Sequence, residues 1–153
     1  MNIVLGLIAL VACVGVGYAC ANKYVVRKEF FNDFFEFNKT LKNEISFSMK
    51  KLDEIICKND NKRSFYKCLI EYLNTKELEL GQAYLTIAEK EFLVNYFDSI
   101  GKSDRETQIN FLNGVTVEIK DRLDVASADE KKYKTLYLKM GFLIGLLIFI
   151  ILL

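Results

Sequence analysis

All 21 Lys and Arg and all 20 Asp and Glu fall between Lys23 and Lys139, and both ends beyond that interval are free of charge. Residues 3–21 are an unbroken apolar run, about 28 Å long as a helix, which matches the hydrocarbon core of a bilayer. Residues 140–153 are also apolar but reach only about 21 Å as a helix, short for a span. Lys139 can snorkel, and Leu136, Tyr137 and Leu138 lengthen the buried part to about 18 residues. A chain so arranged reads as one domain hung from a membrane at both ends. The expected organisation is an N-terminal transmembrane helix at 1–22, a soluble bundle at 23–138 and a C-terminal transmembrane helix at 139–153.

Charge near the spans sets orientation. Lys23, Arg27 and Lys28 follow the first run, and Lys131, Lys132, Lys134 and Lys139 precede the second. Both flanks place the middle domain in the cytoplasm and the termini outside. A cleaved signal peptide would need a basic start, and Met1-Asn2 has none. A lipoprotein site is hinted at by Leu10-Val11-Ala12-Cys13, yet apolar residues continue for eight positions past Cys13. A retained anchor is therefore favoured, with an exported lipoprotein using Cys13 as the alternative. The net charge of +1 recruits neither nucleic acid nor an acidic substrate. With no His and no Cys-x-x-Cys, neither a metal site nor another cofactor is expected. Cys13 and Cys20 sit in the apolar run, and a reducing cytosol argues against a bridge between Cys57 and Cys68.

Between the runs the periodicity is helical. Phe30, Phe34, Phe37, Leu41, Ile45, Ser48, Leu52 and Ile55 recur at three and four, one face of a helix over 24–57. Phe31 and Phe35 widen that stripe. The polar run 58–63 is a turn. A short helix over 64–73 puts Phe65, Cys68, Leu69 and Tyr72 on one face, with Asn74-Thr75 closing it. A further piece over 76–84 carries Leu78 and Leu80. Thr86-Ile87-Ala88-Glu89 is a capping box opening a helix that buries Phe92, Leu93, Tyr96 and Phe97, and Gly101 ends it. Ser103-Asp104-Arg105-Glu106 reads as a second capping box, with Ser103 as the cap. From there Ile109, Leu112, Thr116, Ile119, Leu123, Ala126, Glu130, Tyr133 and Tyr137 form a heptad seam. No proline interrupts any of this. The fold expected is all-α: an antiparallel helical bundle carried between an N-terminal and a C-terminal transmembrane helix. Gly141 and Gly145 form a Gly-x-x-x-Gly face for packing in the membrane, against residues 3–21 or another copy.

Catalytic chemistry is not apparent. Without histidine there is no triad or imidazole acid–base pair, and no GxxxxGK[ST] loop is present. Carboxylates such as those of Glu89-Lys90-Glu91 read as a solvated face. Cys57 has no base and follows Ile55-Ile56. The chain is expected not to be an enzyme and to take no small-molecule substrate. A holin or toxin would need far less than the long middle stretch.

Two stretches carry a family resemblance: Ile100-Gly101-Lys102-Ser103-Asp104-Arg105-Glu106-Thr107-Gln108, and Lys139-Met140-Gly141-Phe142-Leu143-Ile144-Gly145-Leu146-Leu147. With the hydrophobic start and Glu44-Ile45, they resemble the stage III sporulation protein AB family. Ser48-Met49 stands where such proteins usually carry a proline, and tryptophan is absent. The resemblance implies an endospore-forming bacterium. It implies a scaffold in the channel complex joining mother cell and forespore during engulfment, in the outer forespore membrane of the mother cell. The soluble part would be similar to the cytoplasmic domain of type II secretion and type IV pilus platform proteins. Implied partners are a stage III sporulation protein AA-like ATPase, the complex's other membrane components and the lipid bilayer. A generic double-anchored adaptor is the bland alternative. Matching the motif by position nominates Glu44, Asp104, Arg105 and Gln108 as partner-binding candidates. Capping explains Ser103 and Asp104; Arg105 and Gln108 are left for another helix or the ATPase.

Overall fold

A chain without proline and with few internal glycines can carry long helices, and this one does. The computed structural model describes residues 2–47, 63–76 and 84–152. They form four helices: α1 (Asn2–Phe47), α2 (Ser64–Thr75), α3 (Ile87–Ser99) and α4 (Arg105–Leu152), with no strand among the described residues. The all-α expectation holds. The apolar start and the phenylalanine stripe are one continuous helix, because neither Gly nor Pro occurs between Gly17 and Phe47. Residues Ser48, Leu52, Ile55 and Cys57, and the piece with Leu78 and Leu80, lie outside the described residues.

The helices contribute to two compact units, Val26–Val125 and the pair Met1–Val25 with Ala126–Leu153. Within Val26–Val125 the core is aromatic. Phe30, Phe34 and Phe37 stand at helical spacing on α1, and Phe65 of α2 packs against all three, with ring centroids 5.5, 5.0 and 5.3 Å apart. Tyr96 of α3 meets Phe34 edge-on at 4.7 Å. Such pairs add about 0.5–1.5 kcal/mol each beyond the area they bury. Phe31 is fully buried, a core residue. From α3, Leu93, Tyr96 and Phe97 are buried, whereas Phe92 is half-buried under the Arg122 guanidinium at 3.9 Å. The seam of α4 here runs through Gln108, Leu112, Val115 and Ile119; Ile109, Thr116 and Leu123 are only half-buried. Helix α2 is closed by Lys76, its C-cap in the left-handed region, whose N–H donates to the Tyr72 carbonyl. The expected stop at Asn74-Thr75 is thus one to two residues early. Burial pushes the Cys68 thiol up to about 12.

In the second unit the ends of α1 and α4 run antiparallel at backbone contact. A Cβ on Gly17 would stand 2.6 Å from the Tyr137 carbonyl oxygen, and one on Gly141 2.7 Å from that of Cys13. One on Gly145 would stand 3.0 Å from the Leu10 Cα, and Gly6 faces Phe149. The rings of Tyr24 and Tyr133 stack at 4.5 Å. Both helices are long and apolar enough to cross a membrane, with mean hydropathy of 2.4 and 2.3 in their best windows. Only 17% and 11% of those windows is buried, unlike a core helix of a soluble protein. Outward-facing Val4, Leu7, Ile8, Val11, Leu143, Ile150 and Ile151 make this surface compatible with membrane association.

Candidate functional site

The nominated residues at the start of α4 form one local structure. Gly101 takes a φ of +75°, where other residues are strained. Its N–H donates to Gln108 Oε1 at 3.2 Å, and the Ser103 hydroxyl donates to the same oxygen at 3.1 Å. Asp104 Oδ2 accepts from the Thr107 N–H at 3.1 Å, and the Asp104 carbonyl accepts the first helical bond, from the Gln108 N–H at 2.9 Å. Asp104 is therefore the N-cap, and the assignment of that role to Ser103 is corrected by one residue. Ser103 is drawn away because its hydroxyl serves Gln108. Hydrogen bonds from Thr107, side chain first and then backbone, hold the Asp104 carboxyl below its usual range. Gln108 is 3% exposed; its amide closes the turn from inside.

Arg105 reaches across to α1, where its guanidinium donates to the Ser46 carbonyl. Glu44, half-buried, lies two residues before Ser46. Lys42 Nζ donates to Asn113 Oδ1 of α4 at 3.0 Å. The last turns of α1 and the first of α4 are thereby tied together, with residues 101–105 exposed beside them. Gly141 and Gly145 belong to the other unit and lie against Cys13 and Leu10 of the same chain.

Three buried polar features were not legible as such. Asn38, fully buried, donates to the Leu112 carbonyl at 3.1 Å and to Thr116 Oγ1 at 2.8 Å, and accepts from the Tyr96 hydroxyl at 2.9 Å. One side chain thus clasps α1, α3 and α4. Glu89, 6% exposed, accepts from Arg27 at 2.6 Å while its second oxygen takes the Thr86 N–H at 2.8 Å. The Thr86–Glu89 capping box is present as expected. Glu89 is not on a solvated face, however; that expectation fails because its partner lies 62 residues away on α1. Burial raises the Glu89 pKa, but bonds from Arg27 and Thr86 outweigh it and leave the carboxyl below its usual range. Asp33 is also buried and accepts from Arg63 at 2.9 Å. There burial outweighs the guanidinium, and its pKa is raised. A polar cavity of about 450 Å³ adjoins this pair, lined by Glu29, Asn32 and Ser64 as well. No group of three metal-ligating side chains occurs among the described residues.

The family model described as stage III sporulation protein AB matches residues 56–153. That range contains the Gly101–Gln108 turn and both Gly141 and Gly145; Glu44 and the apolar start precede it. No curated protein and no solved structure compared with the chain matches it.

Proposed function

This chain belongs to the stage III sporulation protein AB family, and from that premise we propose that it is a non-catalytic membrane scaffold of the channel complex between mother cell and forespore. Family membership carries a role in sporulation; the scaffold role, the complex and the partners are our reading. One observation carries it: α1 and α4 each join an apolar, outward-exposed segment to a segment of an aromatic-cored bundle in one uninterrupted helix. A protein so built couples lipid to a folded platform. Three of its buried polar groups hold separate segments of the bundle to one another: Asn38 among three helices, Glu89 to Arg27, Asp33 to Arg63.

Lysines flanking the apolar segments favour a cytoplasmic bundle. There a cytosolic stage III sporulation protein AA-like ATPase would dock, next to the complex's other membrane components. We place its contact on the exposed turn 101–105, which Gln108 shapes and Arg105 ties to the end of α1 near Glu44. Co-purification of the full-length chain with that ATPase from detergent-solubilised membranes tests the idea. Co-elution that is lost on Lys102→Glu, with helicity unchanged, supports it. A well-folded wild-type chain that never retains the ATPase sinks it.

A further inference from the structure

We propose that the paired apolar ends of α1 and α4 hold one anionic phospholipid, with an acyl chain in a groove between the helices and the phosphate at Lys23 and Lys132. This rests on the membrane-anchored reading and adds a ligand to it. Small residues create the groove. Where Gly17 and Gly141 bring the backbones together, Ala12 and Cys13 are too short to fill the space alongside, and Val16, Met140 and Ile144 form its walls. The resulting volume is about 300 Å³ and its lining is almost wholly apolar. In water such a groove would be costly; in a bilayer it is filled by hydrocarbon.

What makes the occupant specific lies at one end. Tyr137 lines the groove and stacks on Tyr24 at 6.2 Å, and Tyr24 stacks on Tyr133 at 4.5 Å. The Lys23 ammonium lies 5.0 Å from the centre of the Tyr24 ring, and that of Lys132 5.3 Å from the centre of the Tyr133 ring. An aromatic face holds an ammonium in place without neutralising it. Among the described residues neither lysine is paired with a carboxylate, whereas Lys134 is tied to Glu130 at 3.2 Å. Apolar groove, tyrosine collar and uncompensated ammonium groups therefore follow one another in the order of acyl chain, glycerol region and phosphate. Amphipathic tyrosines favour the headgroup level, and clustered lysines there attract anionic lipid. A zwitterionic lipid offers the same phosphate but brings its own cation, and so leaves the net positive charge of the site unmatched.

The test uses the full-length chain reconstituted in nanodiscs of phosphatidylcholine with a minor share of phosphatidylglycerol, followed by native mass spectrometry after transfer to detergent. One phosphatidylglycerol retained per chain is the expected result, and excess inorganic phosphate should not displace it because the acyl chain contributes to binding. Lys23→Gln and Lys132→Gln together should weaken retention roughly twenty-five-fold, about fivefold per lysine. The corresponding double Arg variant should keep the lipid. Val16→Trp, which fills the groove from its open side, should lose it with helicity intact. Equal retention of phosphatidylcholine, or undiminished binding by the double Gln variant, would overturn the proposal. So would a lipid-free dimer cross-linked through Cys20, which would assign the groove to a second copy. Extraction of the wild type by alkaline carbonate would instead refute the membrane reading beneath it.

Discussion

Replacing Asn38 by Leu removes a side chain that bonds to both α3 and α4 while keeping its approximate volume. Tyr96, 1% exposed, would then bury a hydroxyl with no acceptor, a cost of about 1–3 kcal/mol. The other two bonds matter less. The Thr116 hydroxyl still donates to the Leu112 carbonyl at 2.6 Å, so neither group is orphaned. A net loss of about 2 kcal/mol follows, which lowers the melting temperature by roughly 8–16 °C for a unit of this size. Circular dichroism of the full-length chain in detergent measures it. The diagnostic variant is Asn38→Leu with Tyr96→Phe. Tyr96→Phe alone leaves Asn38 Oδ1 without its donor, but in the Leu background it removes the orphan hydroxyl and should restore about 1–2 kcal/mol. Simple additivity of the two substitutions would refute the clasp as the source of the effect.

Other outcomes follow from the same geometry. The folded pKa of Glu89 lies below its ordinary value of 4.5. The stability from its pairing is therefore present above about pH 4.5 and lost as pH falls through the folded value. Glu89→Gln should destabilise at pH 7 and converge on wild type in acid, read by melting curves across pH. Asp33 has the opposite sign: its pKa is raised, folding favours the protonated form, and Asp33→Asn should melt no lower than wild type at pH 7. Gly141→Ala puts a methyl 2.7 Å from the Cys13 carbonyl oxygen, whereas a Cβ at Gly15 meets nothing within 4 Å. The first should lower the thermal midpoint in detergent micelles and Gly15→Ala should leave it unchanged. With its thiol pushed up to about 12, Cys68 should resist maleimide at neutral pH until the bundle is unfolded.

Periodicity alone carried much of the fold. Phe30, Phe34, Phe37 and Leu41 repeat at helical spacing, and all four are buried. Asn38 stands on that same stripe, four residues after Phe34, yet a polar residue there looks like an interruption. Only the meeting of Leu112, Thr116 and Tyr96 around it makes it a clasp. Glu89 misled for a related reason: a Glu-Lys-Glu triplet has the local signature of a wet face, and nothing nearby in sequence announces Arg27. At residues 103–104 two good capping residues are adjacent, and the choice between them depended on Gln108 taking the Ser103 hydroxyl. Gly6 and Gly17 lack Gly-x-x-x-Gly spacing, but eleven residues are close to three helical turns. Both therefore lie on the face that meets α4.

The most direct test of the central claim, a bundle held at the cytoplasmic face by two apolar helical ends, is cysteine accessibility in intact cells. Lys102→Cys, in a chain whose native cysteines are replaced, lies on the exposed turn before α4. A membrane-impermeant maleimide should leave it unlabelled in intact cells and modify it fully after lysis. Labelling in intact cells would put the bundle outside, contradict the lysine-based orientation and remove any route to a cytosolic ATPase.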